Sequence, residues 1–258
     1  MKNFTLFING NLGLQVLQKI IGIDKEVKII GVVLNSIDKR SLGYLNEVKE
    51  TLGNSLTHLI EYKNDLNTHK QIESMLSESD FSISALFGHK LPFKALSKVK
   101  GQIINLHPSL LPIGRGADPI PWSIIEQKKQ GISIHLIDNE LDTGDLLFQK
   151  EIPTDISMNS GKIYQIATDE LFYEFNQIFS DWINKKVSFF KQIGGETKTH
   201  KSIELNERRI IRENETGTFG DFLRIMQAMT FSDGRGPILR DNSSKLWDVN
   251  IVITPKPD

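Results

Sequence analysis

Short apolar runs rich in β-branched residues alternate with longer amphipathic segments over the first hundred residues of this chain, and no other feature restricts its fold as much. The runs are Phe4–Ile8, Val27–Leu34, 57–62, Phe81–Phe87 and Gln102–Ile104. Strands separated by helices at this spacing imply βαβ units joined by right-handed crossovers. We therefore predict an α/β fold with a mostly parallel, twisted sheet and helices on both faces.

Length and composition allow one such domain with an appendage. The chain has 258 residues, of which 39% are hydrophobic and 24% charged, as in ordinary soluble globular proteins. We predict a Rossmann-like catalytic domain over residues 1–190 and a small C-terminal extension over 191–258. The first part of this extension, as far as Glu215, is interpreted as a linker or covering segment.

Charge and cysteine content narrow the classes of partner. The formal net charge is −1 and there is no cysteine. A bulk basic field for nucleic acid or an anionic membrane is therefore not expected, and thiolate metal sites are excluded. No apolar stretch approaches the length that spans a bilayer. We expect a cytoplasmic protein that binds small molecules, with a homodimer as one option.

Further elements are predicted in the second half of the chain, among them strands over Ile132–Asp138 and Leu146–Ile152 and a long amphipathic helix over Ser160–Lys185. Prolines favour a helix over Pro119–Gln130, with Asp118 as its N-cap. Another helix is predicted over Thr218–Met229, and a strand over Lys245–Thr254.

Polar residues whose side chains could take part in catalysis follow the fifth apolar run. Asn105 and His107 lie where that strand ends, and Pro108 then stops regular structure. Further along the chain, Asp142 lies on a turn-like loop that contains Gly144. An amide donor, a titratable base and an acid that orients the base together suit acyl transfer to an amine.

These residues also carry a family resemblance. The stretch Asn105–Pro112, NLHPSLLP, followed by Leu141–Gly144, LDTG, resembles the signature of the folate-dependent formyltransferases, and the chain as a whole is most similar to the sugar N-formyltransferases. The resemblance implies an enzyme that transfers a formyl group directly from N10-formyltetrahydrofolate to an amine, through a tetrahedral intermediate. No metal is expected, because the formyl group is already activated by its departing nitrogen.

Each of the three residues has an expected role. Asn105 suits donation to the oxyanion of the tetrahedral intermediate. His107 could take the proton of the attacking amine or, as imidazolium, assist the oxyanion. Asp142 is expected to pair with His107 or to hold a water that relays the proton. His135 is interpreted as a satisfied histidine of the sheet and is left out of the catalytic set.

By resemblance, two loops form the walls of the folate pocket and contact the pterin more through backbone than through side chains. The predicted residues are Gly88, His89, Lys90, Leu91, Ile137, Asp138 and Glu140. Of these, Gly88 permits close backbone approach, and Leu91 offers an apolar face to a flat ring.

The acceptor is expected near two other loops. Asn9 and Asn11 lie in a glycine-containing loop after the first strand, which is either a plain tight turn or a contact for a phosphate or sugar. Arg115, next to Gly116, could bind a substrate phosphate in bidentate fashion or pair with Asp118.

Three acceptor amines compete. A nucleotide-linked amino sugar, with dTDP as the carrier, fits a core plus a modest extension, and would place the enzyme in lipopolysaccharide O-antigen biosynthesis. Methionyl-tRNA formyltransferases have a longer chain and a basic surface, and glycinamide ribonucleotide formyltransferases are a shorter single domain. A folate- or nucleotide-binding module without turnover is a further alternative.

Overall fold

Strands and helices alternate along the first half of the chain, and the computed structural model gives their bounds. The structure describes residues 1–23, 26–35, 41–53, 58–97, 99, 101–194, 198–231 and 236–254. In chain order the elements are β1 (Lys2–Ile8), α1 (Gly10–Ile21), β2 (Val27–Leu34), α2 (Ser41–Leu52), β3 (Leu59–Glu61), α3 (Leu66–Glu78), β4 (Phe81–Ala85), α4 (Phe93–Leu96), β5 (Gln102–His107), α5 (Pro119–Ile125), β6 (Gln130–Leu136), β7 (Leu146–Ile152), α6 (Ser160–Ile183), α7 (Ser202–Arg208), β8 (Ile210–Arg212), α8 (Phe219–Met229), β9 (Ile238–Arg240) and β10 (Leu246–Asp248).

The main sheet has the strand order β3-β2-β1-β4-β5-β6-β7. β1 pairs in parallel with both β2 and β4, while β3 extends the sheet in parallel beyond β2 and β5 beyond β4. The chain therefore builds the sheet outward from β1 in one direction and then in the other. The predicted Rossmann-like fold, mostly parallel with helices on both faces, is confirmed.

The reversal of strand order lies between β1 and β4. Ligands of open α/β sheets bind in the crevice outside the carboxyl ends of the strands at such a switch point. Here the backbone N–H of Asn9, just after β1, donates to the carbonyl of Ala85 at the end of β4 (3.0 Å). The loops that follow β1 and β4 are thus neighbours.

An aromatic cluster holds the C-terminal half of α6 to this sheet. Trp182 is fully buried, with its ring centroid 4.9 Å from that of Phe81 and 6.3 Å from that of Phe4, both edge-to-face. Its indole N–H donates to the side-chain oxygen of Gln102 on β5 (3.0 Å). One side chain therefore contacts β1, β4 and β5, and satisfies its polar atom as buried indoles usually do.

Truncating this side chain tests the cluster. We expect Trp182→Ala to lower the free energy of unfolding by about 3–5 kcal/mol, the range for removing a large buried aromatic side chain. Trp182→Phe should cost clearly less, and Tyr173→Ala, at an exposed position of the same helix, should stay within about 0.5 kcal/mol of the wild type. Urea unfolding measures all three. Equal losses for Trp182→Ala and Tyr173→Ala would contradict this assignment.

Packing divides the chain into two compact units. The first contains Met1–His107, Ile134–Phe148 and Leu171–Lys191, and the second contains Pro108–Ser133, Gln149–Glu170 and Gln192–Asp258. The first unit ends one residue beyond the boundary predicted between the catalytic domain and the extension. The division into those two domains, and a role of 191–258 in the acceptor site or in oligomerisation, remain predictions.

The second unit corrects part of the sequence analysis. The segment interpreted as a linker contains α7 and β8, although 195–197 lie outside the described residues. β8 pairs with β9, and β9 with β10, in a small three-stranded sheet. The strand predicted over Lys245–Thr254 is limited to β10. β8 and β9 were missed because each has only three residues, too few to show an alternating pattern.

The helix predicted over Pro119–Gln130 was also too long. It ends at Ile125, and Gln127 takes a left-handed conformation with φ +55°, which an α-helix cannot accommodate. Asp118 precedes the helix with φ +52° and makes no side-chain capping hydrogen bond, so its predicted capping role was wrong. Within the part of the chain that the structure describes, no helix has the length and apolar character needed to cross a membrane.

Candidate active site

β5 carries the polar pair to the carboxyl edge of the sheet. Asn105 lies opposite Ser84 of β4 in the parallel register. His107 is the last residue of the strand and is 6% exposed. Side chains two residues apart on a strand project from the same face. The carboxamide and the imidazole therefore share one face at the end of β5.

The loop after β6 brings a carboxylate to the same place. The Asp142 Oδ2 atom lies 3.9 Å from the His107 Nε2 atom, and both side chains are nearly buried. Asp142 itself is left-handed, with φ +55°, a conformation that aspartate tolerates better than most residues. A Cβ atom on Gly144 would lie 1.9 Å from the carbonyl oxygen of Leu136, so the tight return of this loop requires glycine.

Asp138 stabilises this loop through its side chain. Its Oδ1 atom accepts hydrogen bonds from the backbone N–H of Glu140 (3.2 Å) and from the hydroxyl of Thr143 (2.7 Å). The first of these contacts is that of an Asx turn, and the second closes the loop across five residues. The carboxylate of Asp138 therefore shapes the loop, and the predicted contacts of Asp138 and Glu140 with folate rest on their backbone atoms.

His135 belongs to the cluster although the sequence analysis left it out. Its Nδ1 atom lies 2.7 Å from the carbonyl oxygen of Leu136. Because a carbonyl can only accept, Nδ1 carries a proton and Nε2 of the neutral ring is an acceptor. Nε2 lies 3.2 Å from Asn105 Nδ2 and 3.6 Å from Asp142 Oδ1. One imidazole thus contacts two of the three predicted catalytic side chains.

Burial keeps this imidazole neutral. His135 is 1% exposed. Desolvation is the largest cause that lowers the pKa of His135, to about 4, and the nearby His107 is the second. The Asp142 carboxylate acts in the opposite direction and raises this pKa. Near neutral pH, Nε2 of His135 therefore accepts from the Asn105 amide and fixes which way the carboxamide faces. The signal available from sequence was its place two residues before the loop that carries Asp142, on the strand next to β5.

A pH series tests the neutral state of His135. Its pKa is about 4 in the fold and about 6.5 in the unfolded chain, so unfolding takes up a proton between these values and the free energy of unfolding falls as the pH falls through this window. Over the whole window the fall amounts to roughly 3 kcal/mol. His135→Gln lacks this group. The free energy of unfolding of this variant should therefore lie below that of the wild type at about pH 7, and the difference should narrow towards about pH 4.5.

Urea unfolding at several pH values measures this deficit, with His58→Gln at an exposed position as the matched control. A deficit that stays constant with pH would contradict a neutral, buried His135.

The two loops predicted to hold folate contribute to one hydrophobic cluster. Leu91 is 4% exposed, and Ile137 packs against the cluster that contains it. Gly88 has φ +76°, which favours glycine. The backbone N–H of Ile137 also donates to the carbonyl of Ile103 on β5 (2.9 Å). The 88–91 loop and the first residue of the 137–142 loop are thus tied to the same part of the core.

His89 has partners that the sequence did not reveal. Its ring lies 4.7 Å from the ring of Tyr62 and 5.4 Å from that of Phe87, centroid to centroid. Its Nε2 atom contacts the side-chain oxygen of Asn35, and partial burial lowers the pKa of His89. Lys90 next to it is exposed. Tyr62 and Asn35 follow β3 and β2, so only the parallel sheet brings them to His89.

The loop after β1 presents two carboxamides. Asn9 occupies the N-cap position of α1 but makes no side-chain capping hydrogen bond, and Asn11 in the first turn is exposed. Neither carboxamide forms a hydrogen bond with another described residue of the chain. Both side chains are therefore free to contact a ligand at the switch point.

Arg115, in the second unit, is held by a neutral partner. Its Nε and Nη2 atoms donate to the side-chain oxygen of Gln192 (3.2 and 2.6 Å), and no ion pair with Asp118 is present among the described residues. Gly116 has φ +94°, and a Cβ atom there would lie 2.9 Å from the carbonyl oxygen of His200. Of the two predicted options, the pair with Asp118 is not formed.

The structure thus brings Asn105, His107 and Asp142 together and adds His135. In the described ranges, no three histidine, cysteine or acidic side chains are grouped so that they could hold a metal ion.

The chain is similar to known proteins in both sequence and fold. The family model described as formyl transferase matches residues 3–171. The chain is 28% identical over 190 residues to the dTDP-4-amino-4,6-dideoxyglucose formyltransferase of Mycobacterium tuberculosis (strain ATCC 25618 / H37Rv), covering 72% of this chain and 79% of that protein. It is 41% identical over 112 residues to the methionyl-tRNA formyltransferase of Clostridium novyi (strain NT), covering 43% of this chain but only 35% of that protein.

Among solved structures, the chain is similar to a 4-N formyltransferase from Francisella tularensis. The TM-score is 0.83 at 22% sequence identity, over 99% of both chains. At this identity the likeness concerns the fold.

Proposed function

Since the chain belongs to the formyl transferase family of enzymes, we propose that it transfers a formyl group from N10-formyltetrahydrofolate to the amine of a nucleotide-linked amino sugar, with dTDP as the carrier. The observation that carries this proposal is the convergence of Asn105, His107 and Asp142 at the end of β5. The relative that acts on a dTDP-linked amino sugar, similar over 72% of this chain, supports the choice of acceptor.

The chemistry begins with a neutral amine that attacks the formyl carbon. A C–N bond forms, the carbonyl oxygen becomes an oxyanion, and the bond to N10 of the folate then breaks. One N–H of Asn105 is directed at His135, which leaves the second to donate to the oxyanion. A single donor of this kind contributes about 10²–10³ in rate.

The proton of the attacking amine goes to His107. Asp142, 3.9 Å from the His107 Nε2 atom, stabilises the imidazolium that forms. The same imidazolium then returns the proton to the departing N10 nitrogen, so that no net charge remains on the protein. Of the two roles open to His107, we assign it that of the base. At 3.9 Å the Asp142 carboxylate lies beyond direct hydrogen-bond reach, and it would act through its charge or through one water.

The pterin of the folate is proposed to lie between the 88–91 and 137–140 loops. Ile137, partly buried against the cluster that contains Leu91, supplies apolar surface, whereas the side chain of Leu91 is buried beneath it in the core. The left-handed Gly88 lets a flat ring approach the backbone. On the acceptor, the carboxamides of Asn9 and Asn11 suit sugar hydroxyls or phosphate oxygens, and the guanidinium of Arg115 suits a phosphate.

Substitution of the three residues should remove turnover and leave the fold intact. We expect Asn105→Ala to lower kcat by about 10²–10³ and His107→Ala by about 10²–10⁴, with Asp142→Asn in the same range. Transfer of labelled formyl groups measures this. Asn206→Ala and His58→Ala, both at exposed positions, are the matched controls. Circular dichroism melting must remain cooperative, since unfolding of all three variants would make the residues structural.

The acceptor is tested by direct competition. We expect dTDP-4-amino-4,6-dideoxyglucose to be formylated and initiator methionyl-tRNA not to be. A net charge of −1 lacks the basic field that tRNA binding uses. The 41% identity over 112 residues makes the tRNA the second candidate, and its formylation in preference to the sugar nucleotide would establish it.

Arg115→Ala refines this test. The variant should raise KM for the sugar nucleotide about tenfold without changing KM for the folate, because a guanidinium contact to phosphate is lost. Arg212→Ala, at an exposed position, controls for the loss of one positive charge. An unchanged KM would remove Arg115 from the acceptor site.

A further inference from the structure

The second unit contains a cleft that shares no lining residue with the cluster around Asn105. Its volume is about 450 Å³, which lies within the range of small-molecule sites. One side is formed by the end of α5 and the turn after it, and another by α8, with the segment 154–158 and the start of α6 completing it.

Buried polar side chains form part of the cleft lining. Ser123 and Gln130 are each 4% exposed and Gln227 is 5% exposed. The amide of Gln130 donates to the carbonyl of Ile120 (3.4 Å), and that of Gln227 to the carbonyl of Ile156. Within the described chain the structure provides no donor for either carboxamide oxygen, and no partner for the Ser123 hydroxyl.

These side chains are largely buried and line the cleft, so water or a ligand in the cleft has to supply the hydrogen bonds that the protein does not. A carboxamide whose NH₂ is already used offers only its oxygen, which accepts. Two such oxygens and a hydroxyl therefore select a molecule that carries N–H or O–H donors at the end it inserts.

The rest of the cleft is apolar or cationic. Ile124 on α5 and Leu223 on α8 supply apolar lining. Two cations, Lys128 and Arg224, also line it. Arg224 pairs with Asp221 (2.6 Å), whereas Lys128 is exposed and has no carboxylate partner among the residues described. Of the lining residues, Asp155 carries the opposite charge, and its Oδ1 atom accepts from the backbone N–H of Ser157 (2.7 Å).

We propose that this cleft is a second binding site, for a nucleoside monophosphate. The N–H of the base and the hydroxyl of the sugar would donate to the carboxamide oxygens of Gln130 and Gln227, the ring of the base would lie against apolar side chains such as Ile124 and Leu223, and the phosphate would lie near Lys128 and Arg224. The cleft shares no lining residue with the proposed acceptor site, and this proposal does not depend on which amine is formylated.

Equilibrium dialysis of the full chain with labelled dTMP tests the proposal. We expect Lys128→Glu to weaken binding at this site about tenfold or more, because the charge near the phosphate is reversed. Gln227→Met, of similar size, loses the acceptor oxygen together with the amide that donates to Ile156, so its thermal melting is measured alongside. It should weaken binding to a similar extent while melting cooperatively. Lys70→Glu, at an exposed position of α3, makes the same change in net charge and should leave binding unchanged.

Stoichiometry separates this site from the acceptor site. If both proposals hold, the wild type binds two equivalents of dTMP and Lys128→Glu retains one, with formyl transfer unchanged. If only the cleft binds, the wild type binds one equivalent and Lys128→Glu abolishes it. Wild-type binding in both Lys128→Glu and Gln227→Met, or an equal loss in Lys70→Glu, would overturn the proposal.

Competitors decide the chemistry of the ligand. Unlabelled dTMP should displace the label at concentrations at which inorganic phosphate and thymidine each fail, because each carries only one half of the recognised groups. Displacement by glucose 1-phosphate as effective as that by dTMP would overturn the assignment to a nucleotide.

Discussion

The parallel pairing of β1, β4 and β5 is the constraint on which the candidate active site depends. In a parallel sheet the carboxyl ends of neighbouring strands meet at one edge, and here that edge is also where the strand order reverses. Asn9 follows β1, Gly88 follows β4 and His107 ends β5. The loops proposed to contact acceptor and donor therefore start beside the residues proposed to do the chemistry.

Burial then determines how these residues behave. A water-poor site strengthens each hydrogen bond and disfavours any charge without a partner. His135 responds by remaining neutral, with its tautomer fixed by the Leu136 carbonyl. Its acceptor nitrogen orients the Asn105 amide, a donor that carries no charge of its own. Under the proposed mechanism, a donor already oriented in this way would stabilise the oxyanion without reorganisation, the condition under which such stabilisation is most effective.

In the second unit, contacts between distant residues order the segment that the sequence suggested was a linker. The ring of His200 stacks on that of Trp122, with centroids 3.7 Å apart. Its two nitrogens lie 2.8 Å from a Glu126 oxygen and 3.0 Å from a Glu204 oxygen. Charged residues in this segment look solvated when read singly. In the fold, His200 pairs with Glu126, which lies 74 residues earlier in the chain. This pair holds the start of α7 against the end of α5, and no local sequence pattern could indicate such a contact.

The sequence by itself determined the alternation of strands and helices, the parallel sheet, and the type of chemistry, because period, β-branching and a gapless polar motif are local properties. It also placed Asn105 and His107 on one face, since two residues on a strand always share it. Only the tertiary structure decided that Asp142 reaches His107, that His135 joins them and that Arg115 pairs with Gln192. These contacts join segments far apart in the chain, and their geometry follows from strand register and loop conformation, which composition and spacing do not encode.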